Sequence, residues 1–217
     1  VLDLDLPDAQ QGEVLDKVIV KDIPAIVFTG NVSEQIREFV WSKKVVDYIL
    51  KEDPNSVDYL IATLKRLEKN PDIKILVVDD SPLFRKTISD LLQNHNHTVL
   101  AAGNGKEALE VINEHPDIKM VITDFNMPEM DGFALTQKIR ERYSSDELII
   151  IGISSERDTY MPARFLKYGA NDFIVKQSFL TEEFYCRVTQ HLDSLERLQA
   201  VKEASMKDFL TGLYNRR

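Results

Sequence analysis

From Lys74 to Leu195 one pattern recurs: a short apolar run, then a helix-length stretch whose apolar residues return every three or four positions. The apolar runs are Lys74–Val78, His97–Ala101, the stretch ending at Asp124, Leu148–Ile153 and Asn171–Val175. Val and Ile dominate the first and fourth almost without interruption, as in parallel strands buried on both faces. The helical stretches follow in turn. Ser81-Pro82 supplies a cap and a first-turn proline for a helix to about Asn94. Asn104–Glu114 turns Ala108, Leu109, Val111 and Ile112 inward, and Asp131-Gly132 opens a helix ending near Tyr143. Pro162 falls in or kinks the fourth helix, and Thr181 caps a long final one. Five strands alternating with helices predict an α/β fold, a doubly wound five-stranded parallel sheet.

Ahead of this unit the pattern is shorter. Ala25–Phe28 reads as a strand ending at Thr29-Gly30, Ser33 to about Ser42 as a helix, and Val45–Leu50 as a strand ending at Lys51. Asn55 or Ser56 then caps a helix in which Val57, Leu60, Ile61, Leu64 and Leu67 share a predicted core face. Asn70-Pro71-Asp72 breaks the pattern and marks a domain boundary. The organisation expected is 1–70, 73–195 and a helical tail over 196–217.

Composition narrows the function. Lys and Arg number 27 against 36 Asp and Glu, a net charge of −9 without like-charge blocks, which argues against nucleic acid or an anionic membrane as partner. The single cysteine, Cys186, allows no intrachain disulfide and suits a reducing compartment. No signal-peptide pattern opens the chain and no apolar run is long enough to span a bilayer, so a cytoplasmic location is expected.

In a doubly wound sheet, ligands bind at the carboxyl ends of the strands. There the sequence places Asp79-Asp80, Asp124, Ser154 and Lys176. Taken singly these are ordinary: a solvated strand end, a carboxylate before a Pro turn, a helix cap and a surface lysine. As a set at four strand ends of one sheet they describe a site. Three carboxylates in one cleft call for a cation or a proton, and Mg²⁺ suits oxygen donors that retain water. An ionised Asp124 could attack an electrophilic phosphorus, Lys176 neutralise phosphoryl oxygens, and Ser154 donate a hydrogen bond to them.

With those residues in view, 74 to about 195 resembles a response-regulator receiver domain, of flavodoxin-like fold. The resemblance implies that Asp124 accepts a phosphoryl group from a sensor histidine kinase, phosphotransfer protein or small phosphodonor. It implies Mg²⁺ bound directly by Asp80, Asp124 and the backbone carbonyl of Asn126, with Asp79 acting through water. Ser154 and Phe173 match the family's hydroxyl and aromatic switch positions, whose movement reshapes the face made by the fourth helix, fifth strand and fifth helix. One departure stands out. The family usually has Pro after its lysine, commonly with a cis bond, and here Gln177 follows Lys176. A cis Lys-Gln bond would cost about 2.5–4 kcal/mol relative to trans.

An internal repeat extends the resemblance. Asp3-Leu-Asp-Leu-Pro7 matches Asp124-Phe-Asn-Met-Pro128, and Asp47-Tyr-Ile-Leu-Lys51 matches Asp172-Phe-Ile-Val-Lys176. Thr29 and Lys51 stand 22 positions apart, as do Ser154 and Lys176. Residues 1–70 thus resemble the back half of a second receiver, from third strand to fifth helix, with Asp3, Thr29 and Lys51 as a second acceptor site. The expectation is a parent chain containing the missing half. At the other end, Asp208-Phe-Leu-Thr-Gly-Leu-Tyr-Asn-Arg-Arg217 resembles the entry to a GGDEF-type diguanylate cyclase domain, reached through a helix suited to a two-helix seam or a plain linker.

The reading is therefore a phosphorylation-dependent regulatory module, controlling dimerisation and output of a cyclase domain absent from this chain. Homodimerisation is expected, with cyclic di-GMP synthesis in the parent protein. The alternatives are a Mg²⁺-dependent aspartyl phosphohydrolase, which would need an acid-base Asp just after Asp124 where Phe125-Asn126-Met127-Pro128 stands, and an unphosphorylated interaction scaffold.

Overall fold

A computed structural model describes residues 1–4, 13–21, 23–30, 33–155 and 160–206. Its two compact units are residues 1–74 with 86–99, and 75–85 with the chain from 100 onward.

The first unit is built on a small parallel sheet. Strand β1 (Ile26–Thr29) pairs with β2 (Asp47–Leu50), Ile26 opposite Asp47 and Thr29 opposite Leu50, and Leu2 bridges to Val27 on the far side. Alternation along β1 sends successive side chains to opposite faces. On one face Val27 packs with Leu15 of α1 (Glu13–Ile19) and Val40 of α2 (Glu34–Ser42). On the other, Ile26 and Ile49 meet Leu60 and Leu67 of α3 (Ser56–Lys69). Ser33 caps α2 as its residue type suggests, accepting from the Ile36 amide. Helix α1 was not expected from the sequence.

The expected core face of α3 is corrected here. Leu60 and Leu67 pack on the sheet, but Val57, Ile61 and Leu64 are 57, 44 and 44% exposed, while Arg66 is buried. Periodicity identified an apolar stripe wider than the surface the two strands and their neighbours cover. Nor is Asn70-Pro71-Asp72 a loose break. It is a 3-10 turn whose buried Asn70 donates to the His95 carbonyl at 2.6 Å, while Thr98 Oγ1 donates to the Pro71 carbonyl at 2.7 Å. His95 and His97 are buried in this same unit. Burial lowers the His95 pKa to about 4, although a backbone hydrogen bond at Val46 opposes the shift. Burial, with the charges of His95 and Arg66, lowers that of His97 to about 3.

The five-stranded sheet runs β4-β3-β5-β6-β7, from β3 (Lys74–Val78), β4 (Thr98–Ala102), β5 (Ile118–Asp124), β6 (Ile149–Ser154) and β7 (Asp172–Val175). It is the doubly wound parallel α/β sheet that the alternating pattern predicted, in the flavodoxin-like form that the resemblance implied. The intervening helices are α4 (Pro82–Asn94), α5 (Gly105–Glu114), α6 (Gly132–Arg140), α7 (Met161–Lys167) and α8 (Thr181–Met206). Asn104 and Asp131 cap α5 and α6 by accepting backbone N–H bonds, and Pro162 falls in the first turn of α7. Val121, Leu135, Ile150 and Phe165 are among the fully buried members of the core. One half-buried charge holds several elements together. The Arg140 guanidinium donates to the carbonyls of Gly169 (2.7 Å) and Leu148 (2.8 Å) and to Asn171 Oδ1 (2.8 Å), and burial brings its pKa down to about 10.

Candidate functional site

Strand register sets the site. In the parallel pairing Asp124 lies opposite Ile153, and Ser154 opposite Val175, so the carboxyl ends of β5, β6 and β7 finish within a residue or so of one another. Asp124 and Ser154 are both buried, as is Asp79 just past the end of β3. A hydrophilic side chain at a buried strand end must be satisfied by its neighbours, and the neighbour here is Lys176. Its ammonium lies 2.7 Å from Asp79 Oδ2 and 2.8 Å from Asp124 Oδ1. Burial pushes the Asp124 carboxyl above its ordinary pKa, helped by the Asp79 charge and opposed by Lys176 and the Asn126 amide. For Lys176 burial pulls downward, but the bonds and charges of Asp124 and Asp79 win and raise it.

Several residues that sequence reasoning did not single out complete the geometry. The Phe84 ring centroid is 4.1 Å from the Lys176 ammonium. Arg85 donates to the Asp79 carbonyl, and the Ser81 amide donates to Asp79 Oδ1 at 2.8 Å. Thr123, fully buried, donates its hydroxyl to the Asp124 carbonyl at 3.0 Å. Gly132 packs so closely on the end of β5 that a Cβ there would lie 2.3 Å from the Asp124 carbonyl oxygen. Pro82 at the start of α4 was the available signal for the first two, because it sets the helix turn that brings Phe84 and Arg85 over the end of β3.

Of the expected metal donors, Asp79 and Asp124 come together about the lysine, whereas the Asp80 side chain is exposed. Among the described residues no three His, Cys, Asp or Glu side chains are gathered closely enough to hold a metal. The donor chemistry still suits a hard cation, since Mg²⁺ uses one or two carboxylates with waters. Asp124 Oδ1 is buried and meets the Lys176 ammonium as an ion pair at 2.8 Å, which leaves lone-pair capacity at that carboxylate.

Phe173, the expected aromatic switch, is buried in the core with its ring centroid 5.2 Å from that of Phe165. Its strand also carries Asp172. Burial pushes this carboxyl upward, but two 2.9 Å bonds from Arg187, the Phe173 amide and His191 together hold it below its usual range. Gln177 follows Lys176 through a trans bond in a 3-10 turn, Lys176–Ser178, and donates its side-chain amide to the Ser155 carbonyl. The lysine therefore reaches both carboxylates without a cis bond.

The first unit repeats part of this arrangement. Lys51 forms an ion pair with Asp3, buried Thr29 accepts from the Lys51 amide at 2.9 Å through its carbonyl, and Phe28 lies 5.9 Å from the Lys51 ammonium.

A family model described as the response regulator receiver domain matches residues 75–184, half of the chain. The chain belongs to the response regulator receiver family. Two-component response regulator ORR5 of Oryza sativa subsp. japonica is 39% identical over 102 residues, which span 47% of this chain and 76% of the relative. A crystal structure of a two-component system response regulator/GGDEF domain protein is 40% identical with a TM-score of 0.81, covering 89% of this chain and 79% of that one. That likeness extends well beyond the family match. The CheX–CheY–BeF3–Mg²⁺ complex from Borrelia burgdorferi includes a chain 28% identical, with a TM-score of 0.50, covering 54% of this chain and 87% of its own. This receiver thus has the two-component signalling function of its family, whose partners are histidine kinases or phosphotransfer proteins and whose members generally bind Mg²⁺. Among the described residues no helix is long and apolar enough to cross a membrane.

Proposed function

We propose that Asp124 is the phosphoryl acceptor of this receiver and that its modification controls a C-terminal output domain. One carboxylate oxygen of Asp124 attacks the phosphorus of a phosphohistidine or small acyl phosphate. A P–O bond to Asp124 forms as the donor's bond to phosphorus breaks, and the donor leaves with the bonding pair. The reading rests on one observation: in a receiver-family chain, Lys176 already lies 2.8 Å from the acceptor carboxylate and 2.7 Å from Asp79. Its ammonium can pass from carboxylate to phosphoryl oxygen with little travel. Ser154, on the neighbouring strand end, supplies the hydroxyl that follows the new group. Asp79, Asp80, Asp124 and the Asn126 carbonyl are the residues that would hold Mg²⁺, which supplies charge neutralisation to the phosphoryl oxygens when bound.

The output reading is a tandem-receiver regulator of a GGDEF-type diguanylate cyclase, acting in the cytoplasm as a homodimer. The internal repeat from Asp3 to Lys51 and the Asp208–Arg217 signature support it, as does the likeness to a response regulator/GGDEF protein. Asp3, Thr29 and Lys51 form the matching site of the first receiver.

The test is phosphorylation by a small acyl phosphate with Mg²⁺, followed by intact-mass spectrometry and sedimentation. The wild type should gain one base-labile phosphate and shift toward dimer, and Asp124→Asn should do neither. Equal labelling of Asp124→Asn, or no labelling of the wild type, would overturn the assignment.

A further inference from the structure

A lysine side chain has a flexible stem and no inherent direction, yet Lys176 must exchange two carboxylates for phosphoryl oxygens without losing its place. Three constraints surround it. Asp79 and Asp124 grip the ammonium. The face of Phe84 lies 4.1 Å away. Behind the ammonium, the turn Lys176–Ser178 is tied sideways, because the Gln177 amide group donates to the Ser155 carbonyl, the residue next to Ser154.

Phe84 is itself held. It meets Phe179 edge-on at 6.4 Å, and Phe179 lies tilted against the buried Phe184 at 5.3 Å. Arg85, its neighbour, donates to the Asp79 carbonyl and fixes the start of α4 against the acidic strand end.

We propose that Phe84 and Gln177 are positioning residues for Lys176, together supplying the directional restraint that a proline after the lysine would otherwise give. The ring attracts the ammonium through its quadrupole and offers no anion to compete with an incoming phosphoryl group. The amide-to-carbonyl bond couples the lysine turn to the loop that carries the hydroxyl, so the two groups that must meet the phosphoryl oxygens move together. The consequence for phosphoryl transfer rests on Asp124 being the acceptor. The restraint on Lys176 itself does not.

The test therefore has two arms, both on the full chain. In the unphosphorylated protein, NMR should find the Lys176 ε-methylene protons shifted upfield by the Phe84 ring. Phe84→Leu should remove that shift and Phe84→Tyr keep it, while Gln177→Met should move the Ser155 carbonyl carbon resonance. With acetyl phosphate and Mg²⁺, Phe84→Leu and Gln177→Met should each slow acyl-phosphate formation about tenfold, the scale expected of a modest loss of alignment. Phe84→Tyr should return the rate to near wild type, which a general loosening of the core would not predict. Lys176 signals unmoved in Phe84→Leu, or wild-type rates in both Phe84→Leu and Gln177→Met, would overturn the proposal. Were the wild type to take up no phosphate, the acceptor reading would fall, and the NMR arm alone would decide the positioning.

Discussion

Lys176 and Asp124 meet at 2.8 Å across the ends of two strands separated by β6, and the same ammonium meets Asp79 at 2.7 Å. Removing the lysine would leave two buried carboxylates facing each other. Lys176→Ala should therefore cost about 3–5 kcal/mol near neutral pH. The loss should shrink in mild acid, where Asp124, its pKa raised by burial and its carboxyl released from the lysine, takes up a proton. Urea denaturation at the two pH values measures both.

Asp124 carries the opposite sign of linkage from an ordinary paired carboxylate. Its folded pKa is raised, chiefly by burial, so it favours the fold below its unfolded pKa and loses that contribution as pH rises through the folded value. Without Mg²⁺, Asp124→Asn should stabilise the protein at neutral pH by about 1 kcal/mol, a shift of roughly 2–4 °C in Tm. A Tm at or below wild type would show that the lysine contact outweighs burial.

Arg140 is a half-buried cation satisfied by carbonyls and one amide, contacts that a hydrophobic replacement cannot reproduce. Arg140→Met should leave the half-buried Gly169 carbonyl and the carbonyl of buried Leu148 without this donor and cost on the order of 2 kcal/mol, at the lower part of the about 1–3 kcal/mol range for a polar group left unmet. Chemical denaturation would read the loss, and hydrogen exchange should place it at the ends of α6 and α7.

The buried imidazoles should dominate the acid limb of the first unit. Both have folded pKa values lowered from 6.5, to about 4 for His95 and about 3 for His97. Their neutral forms favour the fold above pH 6.5, and that contribution is lost as pH falls through 6.5 toward those values, because the unfolded chain takes up the protons first. His97→Gln should flatten the decline of stability across this window, by on the order of 1 kcal/mol or more at its lower end. Thermal melts over a pH series give the comparison.

A side chain at position 132 has nowhere to go but into the end of β5, since its Cβ would fall 2.3 Å from the Asp124 carbonyl oxygen. Gly132→Ala should destabilise by about 1–3 kcal/mol through overpacking. It should also slow phosphorylation more than it lowers Tm would suggest, because the displaced backbone is that of Asp124.

The fold was readable because both of its periods are strong. Ile150 and Val121 stand in uninterrupted apolar runs, and Asp131 and Asn104 announce their helices by residue type. The acidic and basic members of the site were readable for a related reason: strand ends are identifiable, and a parallel sheet gathers its carboxyl ends on one edge. What periodicity omits is cover. Val57, Ile61 and Leu64 fit a core face as well as Leu60 and Leu67, yet only the latter have a sheet beneath them. Nor does sequence spacing say which aromatic will lie against a lysine. Phe84 could have been another core residue of α4, and only the three-dimensional path of the Lys176 turn brings the two together.

Helix α8 runs unbroken from Thr181 to Met206, about 39 Å at the usual rise. Its early turns are locked to the core through buried Phe184, Val188, Leu192 and Leu195, while Leu198 and Val201 are exposed. Such a rod transmits angle as well as distance. Each residue added or removed beyond Leu195 would turn whatever follows by about 100° around the axis while moving it only about 1.5 Å along it. Seven added residues would restore the facing to within about 20°. The spacing between this receiver and anything joined to α8 is thus constrained in steps of the helical repeat, far more tightly by rotation than by length.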